Sequence, residues 1–322
     1  MANSFNQISP SLLSTKNLSV GYGSNVLLSN LNLELKSGEL VCFMGPNGIG
    51  KSSLIKTLMG LNQPLKGEIH FSQEGPIEKV ASVVLTDRIQ HPQLKVYELI
   101  MLGRYPYLDW RLKLRYEDET KIELAITQTR IQHLLETKIA ELSDGQMQMV
   151  MIARALAQDT KIILLDEPTA HLDLNNRVEI MNLLKRLTRE TSRAILMATH
   201  ELDLALQTAD QVWIAGSDKT IKTGIPEDLV LDGSFDSIFQ FKGYDLKTGK
   251  ISHAEFRGKN VCVKGDGYAL LWTKNALERN GYSVFDGADT VVEIVNENGR
   301  MKWRIGGTEF SDLNSLLNSL AA

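Results

Sequence analysis

A chain of 322 residues is longer than one average domain, so the sequence predicts two domains. Its composition, 43% hydrophobic and 23% charged with 8 prolines, is that of a globular protein and excludes a disordered or fibrous chain. The formal net charge of -4 excludes attraction of nucleic acid or of an anionic membrane surface by bulk electrostatics, and no nucleic-acid partner is predicted.

The cysteines and the first residues indicate a cytoplasmic protein. Cys42 and Cys262 lie far apart in the sequence and indicate neither a disulfide framework nor a metal site, so we interpret both as reduced core thiols. The N-terminal residues carry no positively charged region before an apolar stretch, which argues against a secretory signal. The longest apolar runs fall far short of the roughly 20 residues that a membrane-spanning helix needs.

The first predicted elements are antiparallel strands. Residues 12–23 and 25–39 have apolar side chains at alternate positions, divided by Gly and Ser. Residues 40–44 are a short, wholly apolar strand, and a glycine-rich loop at 45–52 leads from it into a helix that reaches Leu58. The order of strand, glycine loop and helix is typical of phosphate-binding folds.

Strands and helices alternate along the following part of the chain. After a predicted strand at 80–85, residues 96–135 have mainly helical periodicity and form a predicted helical insert. The elements predicted next are a helix at 144–157, a strand at 161–166, a helix at 177–190, and strands at 194–198 and 212–215. This alternation predicts a parallel sheet.

The last part of the chain, residues 243–322, has a different character and is predicted to be a small α/β domain of unknown role. The predicted elements are strands at 260–263, 291–295 and 301–305, and helices at 270–280 and 312–320. No motif in this segment indicates chemistry. The hypothesis is that it regulates the preceding domain or braces a dimer.

The segment at 45–52 fits the phosphate-loop pattern of two glycines separated by four residues and followed by Lys and Ser. Glycines let backbone N–H groups turn toward phosphate oxygens, and the following helix N-terminus adds partial positive charge. The alternative is a glycine-rich turn that binds nothing. The predicted nucleotide-binding residues here are Gly45, Pro46, Asn47, Gly48, Ile49, Gly50, Lys51, Ser52 and Ser53.

Two acidic residues end the predicted strand at 161–166. α/β folds place ligands at the carboxyl ends of strands. Asp166 can hold Mg²⁺ together with the hydroxyl of Ser52, and Glu167 can orient or deprotonate an attacking water. Without the phosphate loop, the two acids would equally suit solubilising residues at a strand end.

These motifs, with the sequence LSDGQ at 142–146 and His200 downstream, resemble the nucleotide-binding subunits of ATP-binding-cassette (ABC) transporters. The resemblance covers about residues 11–240 and implies a P-loop NTPase cassette. That fold has a parallel-sheet core, an antiparallel β subdomain and a helical subdomain, here at about 88–158. It also implies ATP and Mg²⁺ as cofactors, and a homodimer that ATP closes and hydrolysis reopens.

The resemblance also implies roles for single residues. Ser143, Gly145 and Gln146 form the signature motif that contacts ATP held by the opposite subunit, and LSDGQ does open a helix, where anions bind well. Tyr22 corresponds to the aromatic residue that stacks on adenine, and Asp173 to the aspartate that couples the two sites. His200 corresponds to the switch histidine that supports the attacking water.

The sequence departs from the family pattern after the predicted strand at 80–85. The family has a glutamine there that meets Mg²⁺ and the membrane partner, whereas this chain has Thr86, with Asp87 and Gln90 nearby. Which of the three takes the glutamine's place stays open.

The sequence ELIMLGRYPYLDW at 98–110 resembles importers of iron-siderophore complexes, haem and cobalamin. That resemblance implies two membrane-spanning permease subunits as partners, an indirect partner in a substrate-binding protein, and a location at the inner face of the cell membrane. The alternative is a structural one, a helix that ends in a Gly-Arg-Tyr-Pro turn and indicates nothing about the cargo.

The sequence disfavours two other functional classes. The first is a soluble ABC ATPase that remodels a ribosome or an iron-sulfur scaffold. It is disfavoured because the chain has one phosphate loop and one signature motif, where ribosome factors carry two cassettes. The second is a nucleotide sensor without catalysis, which is disfavoured because Glu167 and His200 are both present.

Overall fold

The computed structural model describes residues 9–85, 93–251, 253–297 and 300–321. The chain divides into two compact units, Met1–Gln240 and Phe241–Ala322, which are described separately. The described strands of the first unit are β1 (Ser11–Tyr22), β2 (Asn25–Leu31), β3 (Glu34–Lys36), β4 (Leu40–Met44), β5 (Lys66–Phe71), β6 (Ala81–Val84), β7 (Ile162–Asp166), β8 (Ala194–Ala198), β9 (Gln211–Ala215) and β10 (Ile221–Gly224). Its described helices are α1 (Lys51–Leu58), α2 (Ile77–Val80), α3 (Val96–Met101), α4 (Tyr116–Thr129), α5 (Asp144–Ala157), α6 (Leu174–Thr191), α7 (Leu202–Thr208), α8 (Pro226–Leu231) and α9 (Ser234–Phe239).

A mainly parallel sheet forms the core of the first unit, in the order β10-β9-β4-β8-β7-β6. Its strands pair in parallel except β10, which is antiparallel to β9. Every residue of β4, β7 and β8 is buried, as expected of central strands covered on both faces. Within this core the rings of Phe43 and Trp213 meet edge to face, with centroids 6.5 Å apart. The predicted parallel sheet is confirmed.

A second, antiparallel sheet is built around β1, which pairs with β2, β3 and β5. The inward side chains of β1, such as Leu18 and Val20, are fully buried and join the same hydrophobic core as β4. This confirms the predicted antiparallel subdomain. It also lies against the end of the phosphate loop, because Leu27 and Leu28 of β2 are next to Gly50.

Several predicted element bounds differ from the structure by one to three residues. Helix α6 begins at Leu174 rather than at 177, because the Asp173 side chain accepts a hydrogen bond from the Asn176 N–H at 2.9 Å and caps the helix. Val80 was predicted to open a strand, but it ends α2, and β6 begins at Ala81.

The second unit is a small α/β domain, as predicted. Its described elements are β11 (Tyr244–Asp245), β12 (Lys250–Ile251), β13 (Asn260–Lys264), α10 (Gly267–Arg279), β14 (Ser283–Val284), β15 (Thr290–Glu297), β16 (Arg300–Ile305), β17 (Thr308–Phe310) and α11 (Leu313–Ala321). One sheet has the order β14-β13-β15-β16-β17, and β11 pairs with β12 alone. The core of this unit contains Val261, Leu277, Tyr282, Val292 and Leu316.

Among the residues that the structure describes, no helix is both long enough and apolar enough to cross a bilayer.

Helices α3 and α4 and a 3-10 turn at Leu102–Tyr107 lie within residues 96–135, where a helical insert is predicted, and α5 packs against both helices. We refer to these elements together as the helical subdomain. A buried ion pair lies at its centre. Arg104 Nε donates to Asp118 Oδ1 at 2.9 Å, and both side chains are 5% exposed. Arg104 also donates to the Ala157 carbonyl at 2.9 Å and lies over the Tyr107 ring. One guanidinium therefore joins the turn to α4 and to the end of α5.

The pKa of Asp118 lies below its usual value. Burial alone would raise it, but the hydrogen bonds from the Arg115 N–H and the Arg104 guanidinium outweigh that effect. Because the folded pKa is depressed, the ion pair stabilises the fold above the unfolded pKa of about 3.9 and loses this contribution as pH falls.

We expect Asp118→Ala to lower the free energy of unfolding by about 3–5 kcal/mol at neutral pH, because it leaves the Arg104 charge buried without its partner. Urea unfolding measures the change. The control is Glu123→Ala on the exposed face of α4, which should change stability by less than about 0.5 kcal/mol. The difference between Asp118→Ala and wild type should shrink below about pH 4, and a constant difference would contradict the ionic origin.

Candidate functional site

The phosphate loop lies between β4 and α1, as the sequence predicts. Gly48 and Gly50 have φ angles of 79° and 114°, which side chains other than glycine rarely adopt. A Cβ on Gly50 would lie 3.1 Å from the Leu27 Cβ, so the site also lacks room for a side chain. The glycines thus allow a conformation in which the loop turns tightly into α1.

Lys51 is buried, and its ammonium group lies against the loop. Its Nζ donates to the carbonyls of Gly45 at 2.9 Å and Pro46 at 3.3 Å. Burial lowers the pKa of Lys51, while the nearby carboxylates of Glu167 and Asp166 act in the opposite direction. The loop therefore holds a positive charge within reach of the acidic residues at the end of β7.

Asp166 ends β7 and is 3% exposed. Its Oδ1 has no hydrogen-bond partner among the described residues, although a buried carboxylate oxygen is costly to leave unpaired. Mg²⁺ takes oxygen ligands and is commonly held by one or two carboxylates and the substrate phosphates. The orphaned oxygen, the exposed Ser52 hydroxyl and the phosphate loop fit a Mg-nucleotide.

Glu167 follows directly and has a left-handed backbone, with φ of 51°. Its N–H donates to the Ala198 carbonyl at 2.9 Å, which ties the end of β7 to the end of β8. Its Oε2 lies 3.2 Å from Nε2 of His200, the residue that follows β8 by two positions. Backbone strain of this kind costs about 1–3 kcal/mol and persists where the surroundings enforce it, typically at functional sites.

The signature residues cap α5. Ser143 Oγ accepts from the Gln146 N–H at 3.3 Å, and Gln146 Oε1 accepts from the Ser143 N–H at 3.0 Å. This reciprocal capping satisfies donors that a helix N-terminus leaves free. Gly145 is buried, and a Cβ there would lie 2.8 Å from Cγ of Asn176.

Asp173 caps α6 in turn, and Asn176 joins the two helix starts. Besides the backbone bond, Asn176 Nδ2 donates to Asp173 Oδ2 at 2.9 Å. The amide that covers Gly145 is therefore held by Asp173. The predicted signature motif and the aspartate predicted to couple the two sites thus meet through one side chain.

Tyr22 ends β1 with its ring 55% exposed. Its hydroxyl lies 3.1 Å from the Ser53 Oγ, and Asn62 donates to it at 3.4 Å. These contacts hold the ring beside the first turn of α1 while its face stays accessible.

The predicted site residues thus form two groups. The phosphate loop, Tyr22, Asp166, Glu167 and His200 lie at the carboxyl edge of the parallel sheet and the start of α1. The signature residues and Asp173 lie at the starts of α5 and α6. Within the described residues, no hydrogen bond or ion pair joins the second group to the phosphate loop.

Three residues were not predicted from the sequence, although their side chains make contacts in the segments around Asp173 and His200: Asn176, Arg177 and Glu201. Their only sequence signal is proximity to Asp173 and His200. Thr86, Asp87 and Gln90 lie outside the described residues.

Family comparisons agree with this geometry. The family model described as ABC transporter matches residues 28–170. An uncharacterised ABC transporter ATP-binding protein of Methanocaldococcus jannaschii is 34% identical over 292 residues, covering 86% of this chain and 99% of that protein. The chain belongs to the ABC transporter ATP-binding proteins. It is an ATP-binding ATPase of this family.

Other relatives and structures support the assignment. A probable siderophore transport system ATP-binding protein of Bacillus subtilis is 37% identical over 237 residues, covering 71% of this chain and 86% of that protein. The ferric enterobactin transport ATP-binding protein of Escherichia coli is 34% identical over 221 residues, covering 66% and 81%. A transporter assigned to the metal-chelate type, in an inward-facing conformation, has a TM-score of 0.66 at 27% identity, covering 72% of this chain and 90% of that chain.

A dimeric ATP-binding cassette bound to ADP and Pi in a post-hydrolysis state has a TM-score of 0.57 at 27% identity. That alignment covers 67% of this chain and 99% of that chain.

A family model also matches most of the second unit. This model, described as iron ABC transporter C-terminal domain, matches residues 257–321. The sequence reasoning identified no motif in this segment.

We expect Gly145→Ala to lower the ATPase rate by about tenfold, because its Cβ would displace Asn176 or α6, and a misplacement of about 1 Å can impair catalysis even when it starts far from the chemistry. Steady-state phosphate release measures the rate. The double variant Gly145→Ala/Asn176→Ala removes the clash and should be faster than Gly145→Ala alone. A slower double variant would contradict this packing argument.

Proposed function

We propose that this ATPase powers an importer of iron-siderophore chelates. One observation carries the cargo class: a match to the iron ABC transporter C-terminal domain lies in the same chain as the cassette. Relatives named for siderophore and ferric enterobactin transport support it. The wider group that sequence resemblance indicates also includes importers of haem and cobalamin. The relatives compared are transport proteins, which does not favour a remodelling ATPase.

The phosphate loop and its surroundings would bind the nucleotide. Lys51 and the loop N–H groups would bind the phosphates, and the exposed face of Tyr22 would stack on adenine. Ser52 and Asp166 would hold Mg²⁺, which when bound neutralises charge on the phosphates. The unpartnered Oδ1 of Asp166 supports this assignment.

Glu167 and His200 would then carry out hydrolysis. In the reaction, water attacks the γ-phosphorus, the bond to the bridging oxygen breaks, and ADP and phosphate leave. The Glu167 carboxylate would orient the water and accept its proton. His200 would hold the γ-phosphate and the water from the other side, as its 3.2 Å contact with Glu167 allows.

A second copy of the chain would complete the site. Ser143, Gly145, Gln146 and Asp173 lie at helix starts outside the phosphate-loop group, and helix N-termini bind anions well. In a head-to-tail homodimer each chain would present these residues to the nucleotide of the other. The dimeric cassette among the structural relatives supports this arrangement. ATP would close the dimer and hydrolysis would reopen it.

Exposed aromatic side chains in the helical subdomain would dock a membrane permease. Tyr105 is 62% exposed, Trp110 is 83% exposed and Tyr116 is 85% exposed. Exposed apolar surface of this kind marks interaction sites. The protein would thus be cytoplasmic and peripheral at the inner face of the membrane, with a substrate-binding protein as an indirect partner.

The C-terminal domain, residues 243–322, would regulate the cassette (residues 11–240) or brace the dimer.

We expect Glu167→Gln to slow hydrolysis by about 10²-fold or more while ATP binding persists, because the amide cannot accept the proton. Phosphate release and equilibrium nucleotide binding measure the two effects. The control Glu179→Gln replaces an exposed acid on α6 and should hydrolyse ATP at the wild-type rate. An unchanged rate for Glu167→Gln would refute the proposed role.

We expect the tagged chain to co-purify with a polytopic permease from membranes of its native host. Tyr105→Ala/Trp110→Ala should lose the permease but keep its ATPase activity, since the exposed rings lie outside the nucleotide site. Leu231→Ala, which changes another exposed apolar residue, is the control and should retain the permease. Recovery of ribosomal or scaffold proteins instead would support the remodelling alternative.

A further inference from the structure

Arg177 lies in the first turn of α6 and contacts two loops at once. Its Nε donates to the Leu172 carbonyl at 2.7 Å, and its Nη1 donates to Glu201 Oε2 at 2.7 Å. The ion pair is mostly covered, with the Arg177 side chain 32% exposed and the Glu201 side chain 22% exposed. None of the assigned roles described above uses this residue.

The two loops are the ones that carry the proposed catalytic pair. Glu167 opens the loop that runs from β7 through Leu172 to α6. His200 lies in the loop between β8 and α7, and Glu201 is the next residue. Sheet pairing and the bond from the Glu167 N–H to Ala198 fix the beginnings of these loops, and the bond from the Glu201 N–H to Thr199 Oγ1 at 3.0 Å lies within one of them. Arg177 fixes their far ends.

We propose that Arg177 is a positioning residue for ATP hydrolysis. By holding Leu172 and Glu201 together, it sets the separation of the loops that bear Glu167 and His200, and so keeps these side chains at the observed 3.2 Å. This inference rests on the proposed roles of Glu167 and His200.

The chemistry of the guanidinium suits this function. Arginine presents several N–H donors in a rigid plane, so it can donate to a carbonyl and a carboxylate in different directions. Lysine offers a compact charge on a flexible chain and cannot reproduce both contacts with the same rigidity. Partly exposed ion pairs add little to global stability, so the main effect of this pair is on geometry.

The test compares Arg177→Ala and Arg177→Lys with wild type in steady-state ATP hydrolysis by the full chain. We expect Arg177→Ala to lower kcat by about tenfold and to change KM for ATP by less than about twofold, because loop displacement impairs chemistry more than nucleotide binding. Arg177→Lys should be intermediate. Arg189→Ala, an exposed arginine in the last turn of the same helix, is the matched control and should behave as wild type.

A second variant separates positioning from simple structural support. Glu201→Ala should also lower kcat, and the double variant with Arg177→Ala should be no slower than Arg177→Ala alone, because both single changes remove the Arg177–Glu201 ion pair. Thermal unfolding is measured for each variant. The inference is overturned if kcat of Arg177→Ala stays within about twofold of wild type, or if the losses multiply. It is also overturned if KM rises as kcat falls.

These results are distinguishable from failure of the proposed function. Full activity in Glu167→Gln would refute the catalytic roles themselves. An inactive Glu167→Gln with a fully active Arg177→Ala would refute only the positioning role.

Discussion

The parallel pairing of β7 with β8 is the constraint on which the site depends. Asp166 pairs with Ala198, and the Glu167 N–H donates to the same residue at 2.9 Å, so the two strands end side by side. Successive side chains of a strand point to opposite faces, so a slip of one residue would move Asp166 out of its position and bring a neighbouring residue into it. The pairing therefore fixes where the Asp166 and Glu167 carboxylates lie relative to His200.

The second group of residues depends on helix starts rather than on the sheet. Ser143 and Asp173 each satisfy free N–H groups at the start of a helix, so the same side chains that begin α5 and α6 stand where an anion would bind. The Asn176 amide bridges these starts by covering Gly145 and donating to Asp173. The side chains that cap these two helices are thus the same ones that would make the proposed dimer contact.

The features that could be predicted from the sequence are those determined by residues close together in the chain. The phosphate loop and the acid pair are contiguous, and hydrophobic periodicity placed β4, β7, β8 and α5 well. The start of α6 was missed because a cap, and not periodicity, sets it. The link from Arg177 to Glu201 could not be predicted, because it joins elements whose proximity depends on the sheet. The residue roles stay predictions.

The buried guanidinium of Arg104 gives a physical reason for the Gly-Arg-Tyr-Pro turn. Gly103 packs so closely that a Cβ would lie 2.3 Å from the Arg154 carbonyl oxygen, and Arg104 ties the turn to α4 and α5. These residues hold the turn and the helices of the helical subdomain together. A search for this four-residue pattern would therefore collect proteins by the shape of that subdomain, and cargo would have to be inferred from other features such as the C-terminal domain.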